Sequence, residues 1–208
     1  MTDLISPDLI GSLNEQARAA HEDDLGALGR QLARRGIDVE AVITRAMAWS
    51  VAIPTWGVGT GGTRFARFPG LGEPRGIHDK LADCGVIQQL TRGTRTVSPH
   101  IPWDKVDDFA KLRSHAESLG VALGTINSNT FQDEDYKLGS LAHNDAKVRN
   151  KAIDHHFECI DVMGETHSRD LKIWLADGSN YPGQDDLRRR QDNLHDSLQK
   201  IYARLGKD

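Results

Sequence analysis

Four times along the chain a short apolar run ends in a polar and aromatic cluster and gives way to a stretch with helical spacing. The run endings are Ile53-Pro54-Thr55-Trp56, Ser98-Pro99-His100-Ile101-Pro102-Trp103, Ile126-Asn127-Ser128-Asn129-Thr130-Phe131 and Trp174-Leu175-Ala176-Asp177-Gly178-Ser179-Asn180. The apolar runs predict strands over 50–54, 94–101, 121–127 and 171–176. Helices follow at about 77–91, 105–119, 144–164 and 184–205, with apolar residues recurring every three or four positions. Their inward stripes are Leu81, Cys84, Ile87 and Leu90 or Gln88; Phe109, Leu112, Ala116 and Leu119; Val148, Ile153, Phe157 and Ile160; and Leu187, Leu194, Leu198, Ile201 and Leu205. Gly120 closes the second helix as a left-handed cap. Strand alternating with helix implies right-handed crossovers and a parallel sheet, so the fold class is α/β. In such a repeat each strand delivers reactive side chains from its carboxyl end onto one shared face.

Ahead of the first strand, 6–50 is helical in pattern. Ser6-Pro7 reads as a cap with Pro at the first helical position, Leu9, Leu13 and Ala17 and then Leu25, Leu28 and Leu32 keep helical spacing, and Gly36 punctuates the segment. The organisation is therefore an N-terminal helical segment, 1–48, and a βα unit series, 49–208, within one domain overall. The first βα connection is long. It runs through Gly57, Gly59, Gly61 and Gly62 to Gly70 and beyond, where such loops usually have ~2–6 residues. A phosphate-binding reading of these glycines fails for want of a Gly-Lys-Ser or Gly-Lys-Thr ending, which leaves loop flexibility. Arg64, Phe65, Arg67 and Phe68 in its distal part say more: exposed phenylalanines on a loop are costly in water, so they fold over a ligand or dock on another subunit.

Composition narrows the classes. The 208 residues carry 26 Lys and Arg against 30 Asp and Glu, a net charge of -4 that offers no basic footprint for nucleic acid. No run approaches the ~18 apolar residues of a membrane span, and residues 1–20 lack the apolar core of a signal peptide. Cys84 and Cys159 sit in amphipathic helical patterns as free, buried thiols, which points to a reducing compartment, the cytoplasm.

The strand-end clusters combine flat apolar surfaces, Trp56, Trp103, Phe131 and Trp174, with hydrogen-bonding groups, His100, Asn127, Asn129 and Asp177. That mixture suits a polyhydroxylated ligand, whose C–H faces stack on rings while its hydroxyls need donors and acceptors; a sugar is the natural candidate. His100, the one histidine at a strand end, would position a hydroxyl, assist ring opening as a base or bind metal, against a plain structural role. The His155-His156 pair reads as helix surface and His143 as loop or cap. Only Asp177 and His100 are placed to ligate a metal, and two ligands do not make a site.

Four segments together carry a resemblance. Trp56-Gly57-Val58-Gly59-Thr60-Gly61-Gly62-Thr63-Arg64-Phe65, His100-Ile101-Pro102-Trp103-Asp104, Asn127-Ser128-Asn129-Thr130-Phe131 and 174–184 resemble the broad-specificity bacterial L-rhamnose isomerase family, of the xylose-isomerase-like TIM barrels. The resemblance implies the first half of a (β/α)8 barrel, about four parallel βα units preceded by N-terminal helices. It implies metal-dependent aldose–ketose isomerisation, L-rhamnose to L-rhamnulose, with two divalent metal ions, manganese by preference. The substrate-binding residues it implies are Trp56, Phe65, His100, Trp103, Phe131 and Trp174, with His100 on a sugar oxygen and Phe65 reaching a neighbouring subunit of a homotetramer. The family's metal ligands and catalytic Lys and Asp come from four further βα units, so no metal ligand and no catalytic residue maps onto this chain. The expected partners are a sugar substrate and either further copies or a complementing C-terminal half, with no nucleic acid and no membrane. The alternative is a catalytically inactive sugar-binding or assembly module.

Overall fold

The computed structural model of the chain describes residues 5–59, 68, 70–181 and 183–206. Its strands are short and all parallel. β1 (Ala52–Pro54), β2 (Thr96–Ser98) and β3 (Ala122–Leu123) pair side by side in that order, with Ile53 opposite Val97 and Val97 opposite Leu123. β4 (Thr125–Asn127) pairs with β5 (Asp170–Lys172), Ile126 opposite Leu171. An isolated parallel bridge between His100 and Asn127 ties the two ladders together.

The third expected strand, 121–127, is thus divided at Gly124. A Cβ there would lie 2.8 Å from the Thr96 Cβ, so only glycine lets the backbones approach this closely. Its N–H donates to the Val97 carbonyl at 2.9 Å and its carbonyl accepts from Arg169 N at 3.3 Å, which makes Gly124 the point where one ladder hands over to the next. The second strand is shorter than the expected 94–101, because Pro99 and Pro102 lack the N–H a ladder needs.

The crossover helices are α4 (Ile77–Thr91), α5 (Phe109–Ser118) and α6 (Ala146–Thr166), with α7 (Leu187–Arg204) after β5; a single turn, α3 (Thr55–Val58), follows β1. Aspartates set three of the starts: Asp108, Asp145 and Asp186 each accept a hydrogen bond from an amide of the first turn. That cap is why α5 begins at Phe109 and not at 105 as its spacing suggested. Strand residues alternate between two faces. Ile53, Val97, Leu123 and Ile126 face the helices and pack with Leu81, Cys84, Leu112, Ala116, Cys159 and Val162 in the main core. A smaller cluster of Tyr136, Leu141, Ala152, Ile153 and Ile201 lies under α6 and α7. The opposite face carries Thr96, Ser98, Thr125, Asn127, Asp170 and Lys172.

At the amino terminus, α1 (Pro7–Ala33) and α2 (Val39–Ala48) bury no residue. Leu25 and Leu32 are half-buried, while Leu9, Leu13, Met47 and Trp49 stay exposed. Among the described residues a hydrogen bond from the Gln89 amide to the Ile5 carbonyl, at 3.3 Å, links this end to α4.

Candidate functional site

The carboxyl ends of the strands gather most of the expected residues. Pro99 and cis-Pro102 bracket His100 in the turn after β2, and that turn brings Trp103 back over the imidazole, ring on ring at 3.9 Å and 29°. Phe131, from the loop after β4, stands edge-on to both, at 6.1 Å from His100 and 6.2 Å from Trp103. Trp174, just past β5, meets Phe131 at 4.8 Å. His100, Trp103, Phe131 and Trp174 therefore make one continuous aromatic run across three strand ends. His100 and Phe131 are buried within it, Trp103 is half-buried and Trp174 is exposed, so the run has one wet face.

Trp56 stands on α3 at the end of β1, 42 % exposed, and among the described residues it has no ring contact with these four. Phe65 lies outside the described residues, as do Arg64 and Arg67; Phe68 is fully exposed.

Burial pushes the His100 imidazole down to about 4, against the opposing pull of the Ile101 backbone and of Asp104. It is therefore neutral near pH 7. Among the described residues its Nδ1 is buried with no hydrogen-bond partner, and so is the hydroxyl of Ser98, two residues earlier on the same face. Orphaned buried polar atoms are rare and call for a partner that is a ligand or a water. Asn127 does not supply one: its side-chain amide donates to the Ser98 and Pro99 carbonyls, at 3.3 and 2.9 Å, and so fixes the turn that carries His100.

Beneath the turn lies a buried ionic group that the sequence pattern did not disclose. Lys80 of α4 contacts Asp104 at 2.7 Å, and both side chains are excluded from solvent. The same carboxylate accepts the Thr55 hydroxyl and, at 2.8 Å, the His100 backbone N–H. One aspartate thus ties the end of β1, the turn after β2 and helix α4 to each other. Gly59 abuts the lysine, since a Cβ there would sit 2.9 Å from Lys80 Cγ and 2.6 Å from the Pro74 carbonyl. A sign was present in the sequence: Lys80 falls beside Leu81 and three residues after Ile77, inside the apolar stripe of α4.

Two expectations change. Asp177 does not face the aromatic run; its carboxylate accepts from Ser140 N, Ser140 Oγ and Ala142 N at 2.7, 2.7 and 2.8 Å, bracing the loop ahead of α6. Nor is His155-His156 helix surface. α6 is packed by α5, α7, β4 and β5, so its buried arc is wide enough to take His156 wholly inside, Nδ1 donating to the Ala152 carbonyl at 2.7 Å. His155 is half-buried and accepts the Asn129 N–H on Nε2 at 2.9 Å. His143 behaves as expected, its Nδ1 accepting the Asp145 N–H at the start of α6.

Among the described residues no three His, Cys, Asp or Glu side chains converge to hold a metal. The two strand-end candidates do not make one: Asp177 is engaged by loop amides, which leaves His100 as a single donor. The described part of this chain supplies no donor set for the metal pair that the resemblance implies.

What the geometry defines is a polar and aromatic face at the carboxyl ends of a parallel α/β sheet, the position where ligands of such folds bind. The chain is 49% identical over 213 aligned residues to a probable sugar isomerase of Rhizobium meliloti, and 46% identical over 210 to a probable sugar isomerase of Mesorhizobium japonicum. The alignments take in 100% and 99% of this chain but 50% and 49% of those proteins, so the chain spans about half the length of the curated relatives it matches. No protein-family model matches it. Among solved structures, apo 3-keto-D-glucoside 4-epimerase from E. coli is similar with a TM-score of 0.43 and 13% identity, over 74% of this chain and 53% of that one. At that TM-score the likeness carries no argument about function.

Proposed function

We propose that this chain forms the substrate-facing wall of a sugar isomerase that interconverts an aldose and a ketose, with L-rhamnose or a close relative as the sugar. The observation that carries the reading is the aromatic run from His100 to Trp174, neutral imidazole at one end and exposed indole at the other, laid across three strand ends. Ring C–H faces of a pyranose stack on such surfaces, and the unpaired His100 Nδ1 gives a hydroxyl its hydrogen-bond partner. A neutral imidazole is also suited to moving a proton during ring opening, because it accepts without first shedding one. The names of the two relatives support the same class.

The reading extends to a second wall. The relatives are twice as long, and the divalent metal ions that the resemblance implies find no ligand set on the described part of this wall. The complementary half of such a protein is proposed to hold them, and assembly into a tetramer with Phe65 entering a neighbour's site belongs to the same proposal.

Titration calorimetry with L-rhamnose tests the wall directly. Binding is expected at millimolar affinity, weakened ~5- to 30-fold by Trp103→Ala and by Trp174→Ala, since one aromatic face contributes ~1–2 kcal/mol. Absence of binding to L-rhamnose and to a panel of other aldoses overturns the sugar reading. Turnover by this chain alone, in a manganese-supplemented ketose assay, overturns the half-site part of it.

A further inference from the structure

We propose that the Lys105–Glu158–His155 chain on the outer side of the site is the positioning device of the aromatic wall, acting on the Trp103 indole through Asn129 and Gln132. This deepens the sugar-wall reading, since it concerns how that wall is held, and it rests on that reading for its importance to substrate.

The bonds form a continuous series. Lys105, just after the turn that carries His100 and Trp103, pairs with one oxygen of Glu158. The other Glu158 oxygen lies 3.2 Å from His155 Nδ1. His155 Nε2 accepts the Asn129 backbone N–H at 2.9 Å, so the ring proton must sit on Nδ1 and be donated to the carboxylate. Asn129 in turn donates from Nδ2 to the Gln132 Oε1 at 2.8 Å, and its Oδ1 accepts the Gln132 N–H at 3.3 Å. Gln132 Oε1 then accepts the Trp103 indole N–H, also at 2.8 Å. The chain starts just after the turn, at Lys105, and ends within it, at Trp103, after passing through the loop that carries Phe131.

The arrangement matters because Trp103 and Phe131 come from different strand ends and neither helix packing nor sheet register sets the angle between them. An indole has two torsions, and stacking on His100 alone lets it slide in its plane. An N–H bond to a loop that is itself pinned removes that freedom, in the way that supporting hydrogen bonds orient the groups that meet a ligand. Glu158 stays ionised in this position, because the Lys105 ammonium, opposed by burial and aided by His155, holds its carboxyl below the usual range. His155 touches no substrate in this scheme; it is a positioning residue.

The test is sugar-independent in its first part. In 15N-labelled protein the exchange rates of the Trp103 indole N–H and the Asn129 amide are measured for the wild type, His155→Leu and His155→Gln. Leucine keeps the bulk and removes the acceptor; glutamine places an oxygen near the position of Nε2. His155→Leu is expected to raise both rates about tenfold and to shift the Trp103 indole resonance, while His155→Gln stays within about threefold of the wild type. Unchanged indole and amide protection in His155→Leu overturns the proposal. So does an equal loss in both variants, which would mean that any change at this position merely loosens α6. Native-like protection of the buried amides of α5 in each variant confirms that the protein remains folded. In the second part, L-rhamnose affinity is measured by calorimetry: His155→Leu is expected to weaken it about fivefold and His155→Gln to restore it. A wild type that binds no sugar removes the sugar-wall reading and leaves the exchange result to decide the positioning role alone.

Discussion

At the scale of single residues, the strongest constraint on the site is the buried pair Lys80–Asp104. Removing one member of a buried pair strands the other charge, which costs more than the pair itself contributes. Lys80→Met should therefore destabilise the fold by about 3 kcal/mol, at the low end because Thr55 and the His100 amide still donate to Asp104. Urea unfolding would show it; a loss within ~0.5 kcal/mol of zero, the range of a surface substitution, would mean that the pair does not hold the fold. The histidines give a second expectation. Burial holds His100 and His156 near about 4, against ~6.5 in an unfolded chain. Stability from both is thus complete above pH ~6.5 and is lost as pH falls towards 4, each at up to ~1.4 kcal/mol per pH unit, because the unfolded chain takes up the proton first. Urea midpoints at pH 7.0 and 5.5 check it, a window above the range in which carboxylates titrate. His156→Leu should flatten the dependence by about half, and it also removes the unpaired buried Nε2. The spacing put Lys80 inside the α4 stripe but named no partner for it, and it gave no sign of the buried His156. A charged or polar residue beside an apolar stripe reads as surface until the tertiary packing shows how wide the buried arc is.

Among the elements, the helices were the most legible part of the fold. The expected α4 bounds, 77–91, agree with Ile77–Thr91, and the α5 stripe of Phe109, Leu112, Ala116 and Leu119 is wholly buried. A helix of ten or more residues repeats its apolar signal several times. Strands of two or three residues offer no repeat to read, so their outlines were overdrawn even though their order and parallel sense were right. The break at Gly124 belongs to this gap: the glycine marks a close approach, but its cause, the Thr96 side chain 28 positions earlier, is not local. Gly124→Ala would press a methyl to 2.8 Å from the Thr96 Cβ, an atom that cannot rotate away. A loss of about 1–3 kcal/mol is expected, as for other overpacked sites, together with faster amide exchange at Val97 and Ile126, where the two ladders meet. Thermal unfolding with site-resolved exchange separates this from a change confined to the loop. α1 shows the converse case: the Leu9 and Leu13 spacing is helical as expected, yet no other described element covers it.

Seen as a whole molecule, the fold has an open side. β5 pairs with β4 on one edge, and no described strand lies along the other. Between that edge and α7 runs a groove of about 540 Å³, lined by Leu171, Ile173, Leu198, Ile201 and Leu205, with Tyr202 exposed on its rim. An unpaired parallel edge beside an apolar groove is what a further βα unit covers, and the next strand of a right-handed series would fall there. The relatives contain, beyond the part aligned to this chain, an equal length of sequence to supply it. On the half-site reading, the half of the Rhizobium meliloti protein that this chain does not cover should bind here when the two are co-expressed. Tyr202→Glu is a sharp probe, because an exposed tyrosine can be replaced without disturbing the fold, while a carboxylate buried on docking and left unpaired costs several kcal/mol. Co-purification of the two halves, lost with Tyr202→Glu and kept with Tyr202→Phe, is the expected result. A complex indifferent to Tyr202→Glu would place the docking elsewhere, and failure of the halves to associate at all would overturn the second wall.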